Sequence, residues 1–362
     1  MKKISIFYVS TLIFLGMWSG SDGCTGIRLN TKDGKAVHGR TFEYGIKVDT
    51  SVAVVPRGYS FTAVTPLGKG MEYRSKYAAV GTICFDHLLL MDGMNEKGLS
   101  IGTFYFPGYA DYVTTTQNNQ ARSLSSIDFP NWLLTQFATL EEVKTGLLGV
   151  VIAPTVIPGW GSAPPPFHYL VYDQAGKSLV IEPIGGELRV YDNPFGAFTN
   201  SPNFDWHLTN LRNFINLTTQ NAEPLKIEGV TLAPFGQGSG MVGLPGDFTP
   251  PSRFVRAAIF SYTALPPATL QEAVFQTFHI LNQFDIPIGV ARQRADGVIY
   301  ADYTLATVVH DPINLKYYFK TYEDQALKVV DLKVFDLESK EIKKAATTGE
   351  QTYKDVSKEL KS

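Results

Sequence analysis

Apolar and polar positions alternate through Cys24–Thr31, break at Lys32-Asp33-Gly34-Lys35, and alternate back through Ala36–Phe42. Period two on either side of an Asp-Gly pair predicts a β-hairpin. Similar short runs predict strands at Ser51–Pro56, Tyr77–Phe85 and Leu99–Phe106. His168–Tyr172, Ser178–Pro183 and Glu187–Asp192, separated by polar turns, predict a three-strand meander. The period becomes helical over Ile127–Phe137, Asp205–Leu217 and Ser252–Leu265. Two capping boxes, Thr139-Leu140-Glu141-Glu142 and Thr269-Leu270-Gln271-Glu272, predict helices reaching about Leu148 and Phe284. Strands return at Val298–His310, Leu315–Tyr322 and Ala326–Leu332. Lys, Glu and Thr then dominate, and 336–362 reads as a solvated tail. Strands and helices come in separate runs with no repeat or linker between them. That order predicts one large α+β domain over 24–335, with antiparallel sheets and helices packed outside.

The start of the chain has a different character. Lys2 and Lys3 precede an almost wholly apolar run, Ile4–Trp18, and then the small or polar residues Ser19–Gly23. This three-part pattern predicts a secretory signal peptide, 1–23, removed on export to a periplasm or the outside. The apolar run is too short for a comfortable membrane span, so no stable membrane insertion is expected after processing. Ser21 and Gly23 supply the small residues expected before a cut at Cys24.

Composition narrows the chemistry. The 362 residues are 44% hydrophobic and 18% charged, with 32 Lys+Arg against 34 Asp+Glu. Such a balance argues against a basic nucleic-acid binder. Two cysteines exclude a disulfide scaffold and a cysteine-based zinc cluster. His38, His87, His168, His207, His279 and His310 show no metal-ligand spacing. Gly238-Ser239-Gly240-Met241-Val242-Gly243 fits a dinucleotide pattern, but Leu244-Pro245-Gly246 follows and cannot open the helix that pattern needs. No metal and no cofactor is expected.

Cys24 carries the candidate chemistry. Freed at an N-terminus, it holds a thiol and an α-amine on one residue, and the amine's reference pKa of roughly 7.7–8 suits a general base. The competing reading is a lipidated cysteine on a non-catalytic binding protein, although the usual Leu near that cut is here Ser21. A hairpin turned at Asp33-Gly34 brings Arg40 and Glu43 back towards Cys24. A guanidinium there favours the thiolate and a carboxylate can orient the amine. An ordinary surface Arg–Glu pair fits the same spacing. Cys84, in the apolar stretch Val80–Phe85, reads as a buried packing residue. A Cys24–Cys84 disulfide would consume the nucleophile.

Four blocks then resemble one family. Cys24-Thr25-Gly26 with Gly39-Arg40-Thr41-Phe42-Glu43, Asp92-Gly93-Met94-Asn95-Glu96-Lys97-Gly98-Leu99, Thr199-Asn200-Ser201-Pro202-Asn203-Phe204-Asp205-Trp206, and the run from Gly236 to Phe254 are similar, in order, to choloylglycine hydrolases and penicillin V acylases. The resemblance implies a four-layer αββα N-terminal-nucleophile fold that hydrolyses a small-molecule non-peptide amide, assembled as a homo-oligomer, tetrameric in that family. It implies Cys24 as nucleophile, Arg40 as its support, and Glu43 in place of the bile-salt enzymes' aspartate, as in Gram-negative members. It implies Asn200 as an oxyanion-hole donor with a backbone N–H near Tyr105 as companion, and Arg253 as a second active-site arginine.

Substrate class is the least determined point. Tyr105 falls where bile-salt hydrolases have asparagine and penicillin V acylases tyrosine. Phe42, Tyr44, Tyr105, Phe106 and Tyr109 crowd the same motifs and suit a flat aromatic or linear acyl group, or an ordinary core. These features point to a penicillin V or N-acyl-homoserine lactone acylase, with conjugated bile salt hydrolysis as the alternative. Tyr44 departs from the acylase pattern, which often has tryptophan there.

Overall fold

Two antiparallel sheets lie face to face in the computed structural model, which describes residues 23–84, 88–158, 160–295 and 297–361. The signal-peptide reading, Phe85 and His87 lie outside the described residues. The predicted hairpin is present: Thr25–Asn30 pairs with Ala36–Tyr44, with Thr25 opposite Thr41 and Gly26 opposite Arg40. Gly34 takes a left-handed φ of 79° in its turn, a conformation glycine adopts without a Cβ clash. Val298–Asp311 pairs along the other edge of Ala36–Tyr44, and Lys316–Thr321 and Lys328–Asp331 follow outward.

The second sheet runs Glu187–Asp192, Ser178–Ile184, Phe167–Tyr172, Ser100–Tyr105, Leu90–Asn95, Ala79–Cys84, Thr50–Val55 and Lys343–Ala346 in spatial order. The last of these is a finding about the tail. Lys343–Ala346 is exposed, yet it pairs with Thr50–Val55 and covers an open sheet edge. Leu90–Asn95 was not predicted, because it is buried throughout and does not alternate, and the hairpin Ser60–Thr65 with Gly68–Arg74, whose exposure does alternate, was missed as well.

Val52, Val54, Val80, Met94, Val308, Tyr317 and Phe319 pack between the sheets. Buried polar ties also cross the gap: His310 Nε2 lies 2.7 Å from Asp92 Oδ1, and Tyr317 Oη lies 2.7 Å from Thr82 Oγ1. Outside one sheet lie helices Pro250–Thr263 and Leu270–Leu281. Outside the other lie Asp128–Gln136 and Leu140–Leu147. The result is the αββα sandwich.

Helix Leu270–Leu281 starts on a complete capping box, with Thr269 Oγ1 accepting from Glu272 N at 3.1 Å and the Glu272 carboxylate accepting from Thr269 N at 3.3 Å. The cap is worth about 1 kcal/mol. At Leu140–Leu147 only half of the box forms. Thr139 caps Glu142 N, but the Glu142 side chain accepts from Ala138 N instead. The helix face carrying Ala273, Val274, Thr277, Phe278 and Leu281 is buried on the hairpin sheet. Gly39 permits the contact, since a Cβ there would sit 2.6 Å from Thr277 Cγ2.

Candidate active site

Cys24 stands at the open end of the hairpin, with its thiol in a pocket between the sheets. Its nitrogen, still acylated by Gly23 in this chain, donates to Asn200 Oδ1 at 2.8 Å. Arg253 Nη1 donates to its carbonyl at 2.6 Å. Burial pushes the thiol pKa up. Arg40, a backbone hydrogen bond from Glu43 and Arg253 pull it down, while the Glu43 carboxyl adds to the rise. The net direction is upward, so the resting group is a thiol, and attack on a carbonyl requires a base.

Arg40 is buried, not a surface charge. Its guanidinium lies 4.0 Å from the Phe42 ring centroid and 4.1 Å from that of Phe104, and Nη1 donates to Thr103 O at 2.5 Å. Gly102 makes room for it, because a Cβ there would lie 3.2 Å from Arg40 Nη1 and 2.8 Å from the Phe104 ring. Among the described residues no carboxylate forms an ion pair with Arg40, so its field is directed by position onto the neighbouring thiol.

Glu43 is also buried, and the surface-pair reading falls for both residues. Burial is the main cause that raises its pKa to about 8, against the opposing effects of Arg253, the Thr41 and Thr304 hydroxyls and Arg40. Thr304 Oγ1 donates to it at 3.0 Å. The Cys24 nitrogen is held by Asn200, not by Glu43, which instead bonds the thiol through its own backbone N–H.

Asn200 is the junction of the site. Its Oδ1 accepts from Cys24 N and from Arg253 Nη2, each at 2.8 Å, and its Nδ2 donates to Tyr105 O at 2.9 Å. Two donors on one atom fix which end of the amide is oxygen. One Nδ2 proton is left over for an oxyanion. The expected companion donor is not available at Phe106, whose N–H is committed to Pro166 O at 2.8 Å. Tyr105 contributes its carbonyl.

Several supporting groups were not legible in the sequence. His207 Nε2 is 2.9 Å from Asn200 O, and His168 Nε2 is 3.1 Å from Thr199 O. Glu182 accepts from Phe204 N at 3.1 Å and meets His168 Nδ1 at 3.1 Å. Burial drives His168 well below the usual histidine range, holds His207 at about 4 and raises Glu182 to about 8. This is a buried neutral network that fixes the Thr199-Asn200 backbone. Its partners lie 7 to 31 residues apart with no regular spacing, so the sequence carries no signal for such a network.

The thiol pocket is lined mainly by aromatic and aliphatic side chains. Of the proposed wall, Phe42, Tyr44 and Tyr105 line it. Phe106 and Tyr109 do not. Tyr105 and Phe106 point to opposite faces of the chain. Phe106 is fully buried and stacks on His168 with ring centroids 4.0 Å apart, and Tyr109 stacks on its outer side at 5.3 Å. Trp160, Phe167 and Leu305 complete the wall. Leu305 enters through a register shift between Thr304 and Ala306 opposite Glu43, which a sequence pattern does not reveal. Cys84 lines the same pocket as Cys24. Both thiols are free, and burial holds Cys84 at about 12.

The chain belongs to the linear amide C–N hydrolases of the choloylglycine hydrolase family, whose model matches residues 24–345. It is thus an amide-cleaving enzyme with the N-terminal-nucleophile hydrolase fold, and the non-catalytic binding reading is set aside. The bile salt hydrolase/transferase of Clostridium perfringens is 35% identical over 323 residues, 88% of this chain and 95% of that protein. The crystal structure of a mutant conjugated bile acid hydrolase from the same organism superposes with a TM-score of 0.81 at 33% identity, covering 92% of this chain and 99% of that one. The penicillin V acylase of Agrobacterium tumefaciens superposes at 0.71 but is only 22% identical, covering 89% and 90%. That likeness shows the fold alone. The expectation of a penicillin V or acyl-homoserine lactone acylase is therefore overturned in favour of the bile-salt alternative. It had rested on Tyr105 and Glu43, two side chains in a pocket whose other walls come from distant segments.

Proposed function

We propose that the enzyme hydrolyses conjugated bile salts, cutting the amide between a steroid acid and its amino-acid partner. The observation that carries this reading is the 35% identity, over nearly the whole of both chains, to a bile salt hydrolase. The pocket chemistry supports it: one wall is aromatic and apolar, and the thiol stands at its end.

In the mechanism, residues 1–23 are removed as a signal peptide, and the protein acts outside the cytoplasm. The freed Cys24 amine keeps its hydrogen bond to Asn200 Oδ1 and takes the thiol proton. The thiolate, favoured by Arg40, attacks the amide carbon. The spare N–H of Asn200 Nδ2 meets the oxyanion, a contribution of roughly 3–4 kcal/mol to the transition state. The ammonium protonates the departing nitrogen, and water releases the acid from the thioester. Arg253 holds Cys24 and Asn200 in one frame. The same enzyme is a homo-oligomer in this reading, because the hairpin Leu225–Ile227 with Val230–Leu232 exposes four large apolar side chains, with Phe235 beside them.

Parallel assays of glycocholate, taurocholate, penicillin V and a long-chain acyl-homoserine lactone test the reading. Faster cleavage of either bile salt is expected, and a preference for penicillin V or the lactone would overturn it. Intact mass should give a chain beginning at unmodified Cys24.

A further inference from the structure

Two cavities flank the Gly23–Cys24 bond, one lined by each residue. Cys24 lines the thiol pocket, and Gly23 lines a second cavity shared with Asn200, Arg253, Asp247, Asp302 and Arg292. A Cβ on Gly23 would lie 3.4 Å from Arg253 Nη2 and 3.5 Å from Ile286 Cδ1, so the glycine fills the inner end of this space. Cutting the Gly23–Cys24 bond empties that end and leaves the new amine facing it.

Acyl transfer dictates where the two halves of an amide go. The carbonyl carbon bonds to Sγ, so the acyl half lies in the thiol pocket. The C–N bond breaks with its electron pair on nitrogen, which takes its proton from the Cys24 ammonium. The departing nitrogen, and whatever it carries, must therefore lie on the amine side. Water then attacks the thioester carbon, releasing the acid and restoring the thiol.

We infer that the cavity beside Gly23 is the leaving-amine subsite, and that Arg292 at its rim pairs with an anionic group on that amine, a carboxylate or a sulfonate. The inference rests on the cut before Cys24 and on the bile-salt reading above. Among the charged residues that line the cavity, Arg292 is the one exposed to a ligand, while the others are engaged or buried. Asp247 is engaged on both oxygens, by Thr249 N at 2.9 Å and Thr249 Oγ1 at 2.5 Å on Oδ1, and by Ser252 Oγ at 2.7 Å on Oδ2. Asp302 is buried. Arg253 is committed to Cys24, Thr25, Asn200 and Phe248. Arg292 is exposed on strand Ala291–Ala295 and has no ion-pair partner among the described residues. Thr249 and Pro250, at the N-terminal end of helix Pro250–Thr263, line the same cavity, and that end of the helix also favours an anion. A charged amine half has its counter-ion here, away from the apolar acyl wall.

The test compares amides of one acid. With the chain beginning at Cys24, kcat and KM are measured for taurocholate, glycocholate and the uncharged n-propylamide of cholic acid. Arg292→Glu is expected to raise KM for both anionic conjugates by about tenfold, with little change in kcat and no rise for the propylamide. Arg292→Lys should retain most of the binding. Equal changes for charged and uncharged amides, or no change in either, would overturn the assignment. If no cholic acid amide is cleaved, the bile-salt reading fails separately. The subsite is then decided by thermal shift with taurine: a rise in Tm in the parent chain that Arg292→Glu loses supports it, and no rise in the parent chain refutes it.

Discussion

Arg253 and Asn200 are locked together by one hydrogen bond of 2.8 Å, from Nη2 to Oδ1, and that bond helps to set the orientation of the Asn200 side-chain amide. The same guanidinium reaches Cys24 O and Phe248 O, so three segments of the chain converge on one side chain. Burial lowers the arginine's pKa, but the group remains a cation at any working pH.

Arg253→Lys is therefore not a conservative change. An ammonium cannot span acceptors on Cys24, Asn200 and Phe248 at once. We expect kcat to fall by about a hundredfold or more and Tm to drop, since buried acceptors lose a charged donor worth about 1.5–3 kcal/mol each. Steady-state kinetics and a thermal melt read both effects. Unchanged kcat would separate Arg253 from the site.

Asn200→Ala removes both the anchor of the Cys24 nitrogen and the spare N–H. A loss of about a hundredfold to a thousandfold in kcat is expected, with a much smaller change in KM, because the oxyanion exists only in the transition state. A loss confined to KM would make Asn200 a binding residue only.

The two cysteines should behave differently although they share a pocket. Cys24→Ala should abolish turnover in a folded chain, and Cys84→Ala should retain most activity. Held at about 12, the Cys84 thiol stays protonated and unreactive at pH 8. Iodoacetamide should alkylate Cys24 alone in the chain that begins there, as peptide mass mapping will show. Faster labelling of Cys84 would contradict the assignment.

Glu43 links stability to pH. Its carboxyl is raised to about 8 in the folded chain, against about 4.3 when unfolded. Between these values the folded chain keeps a proton that the unfolded chain has lost. The stabilisation is complete below the unfolded value and disappears as pH rises through about 8. Glu43→Gln stays neutral throughout. Its Tm relative to the parent, measured on chains that retain Gly23, should climb from pH 5 to pH 8.5. A pH-independent difference would show that Glu43 is ionised in the fold.

The sequence by itself determined the local geometry and the family to which the chain belongs. The hairpin at Asp33-Gly34 and its alternation place Arg40 beside Cys24, because a two-strand register follows from the turn and the period. The complete capping box at Thr269 likewise follows from neighbouring residues. Leu90–Asn95 was missed for a physical reason: one face packs on the other sheet and the opposite face on helix Asp128–Gln136, so it is buried throughout and shows no alternation. The substrate wall was only partly legible for the same kind of reason. Tyr105 and Phe106 are adjacent in sequence, yet only packing decides that one lines the pocket while the other stacks on His168. Trp160 with Phe167, and Leu305, reach that wall from two segments far from Tyr105 in sequence, and the Glu182–His168 pair holds the Thr199 carbonyl and the Phe204 N–H on either side of Asn200. Burial, too, is a tertiary quantity. A string of letters cannot show that Glu43 lies in a medium poor enough in water to keep its proton, or that the nitrogen of Cys24 faces Asn200 rather than Glu43.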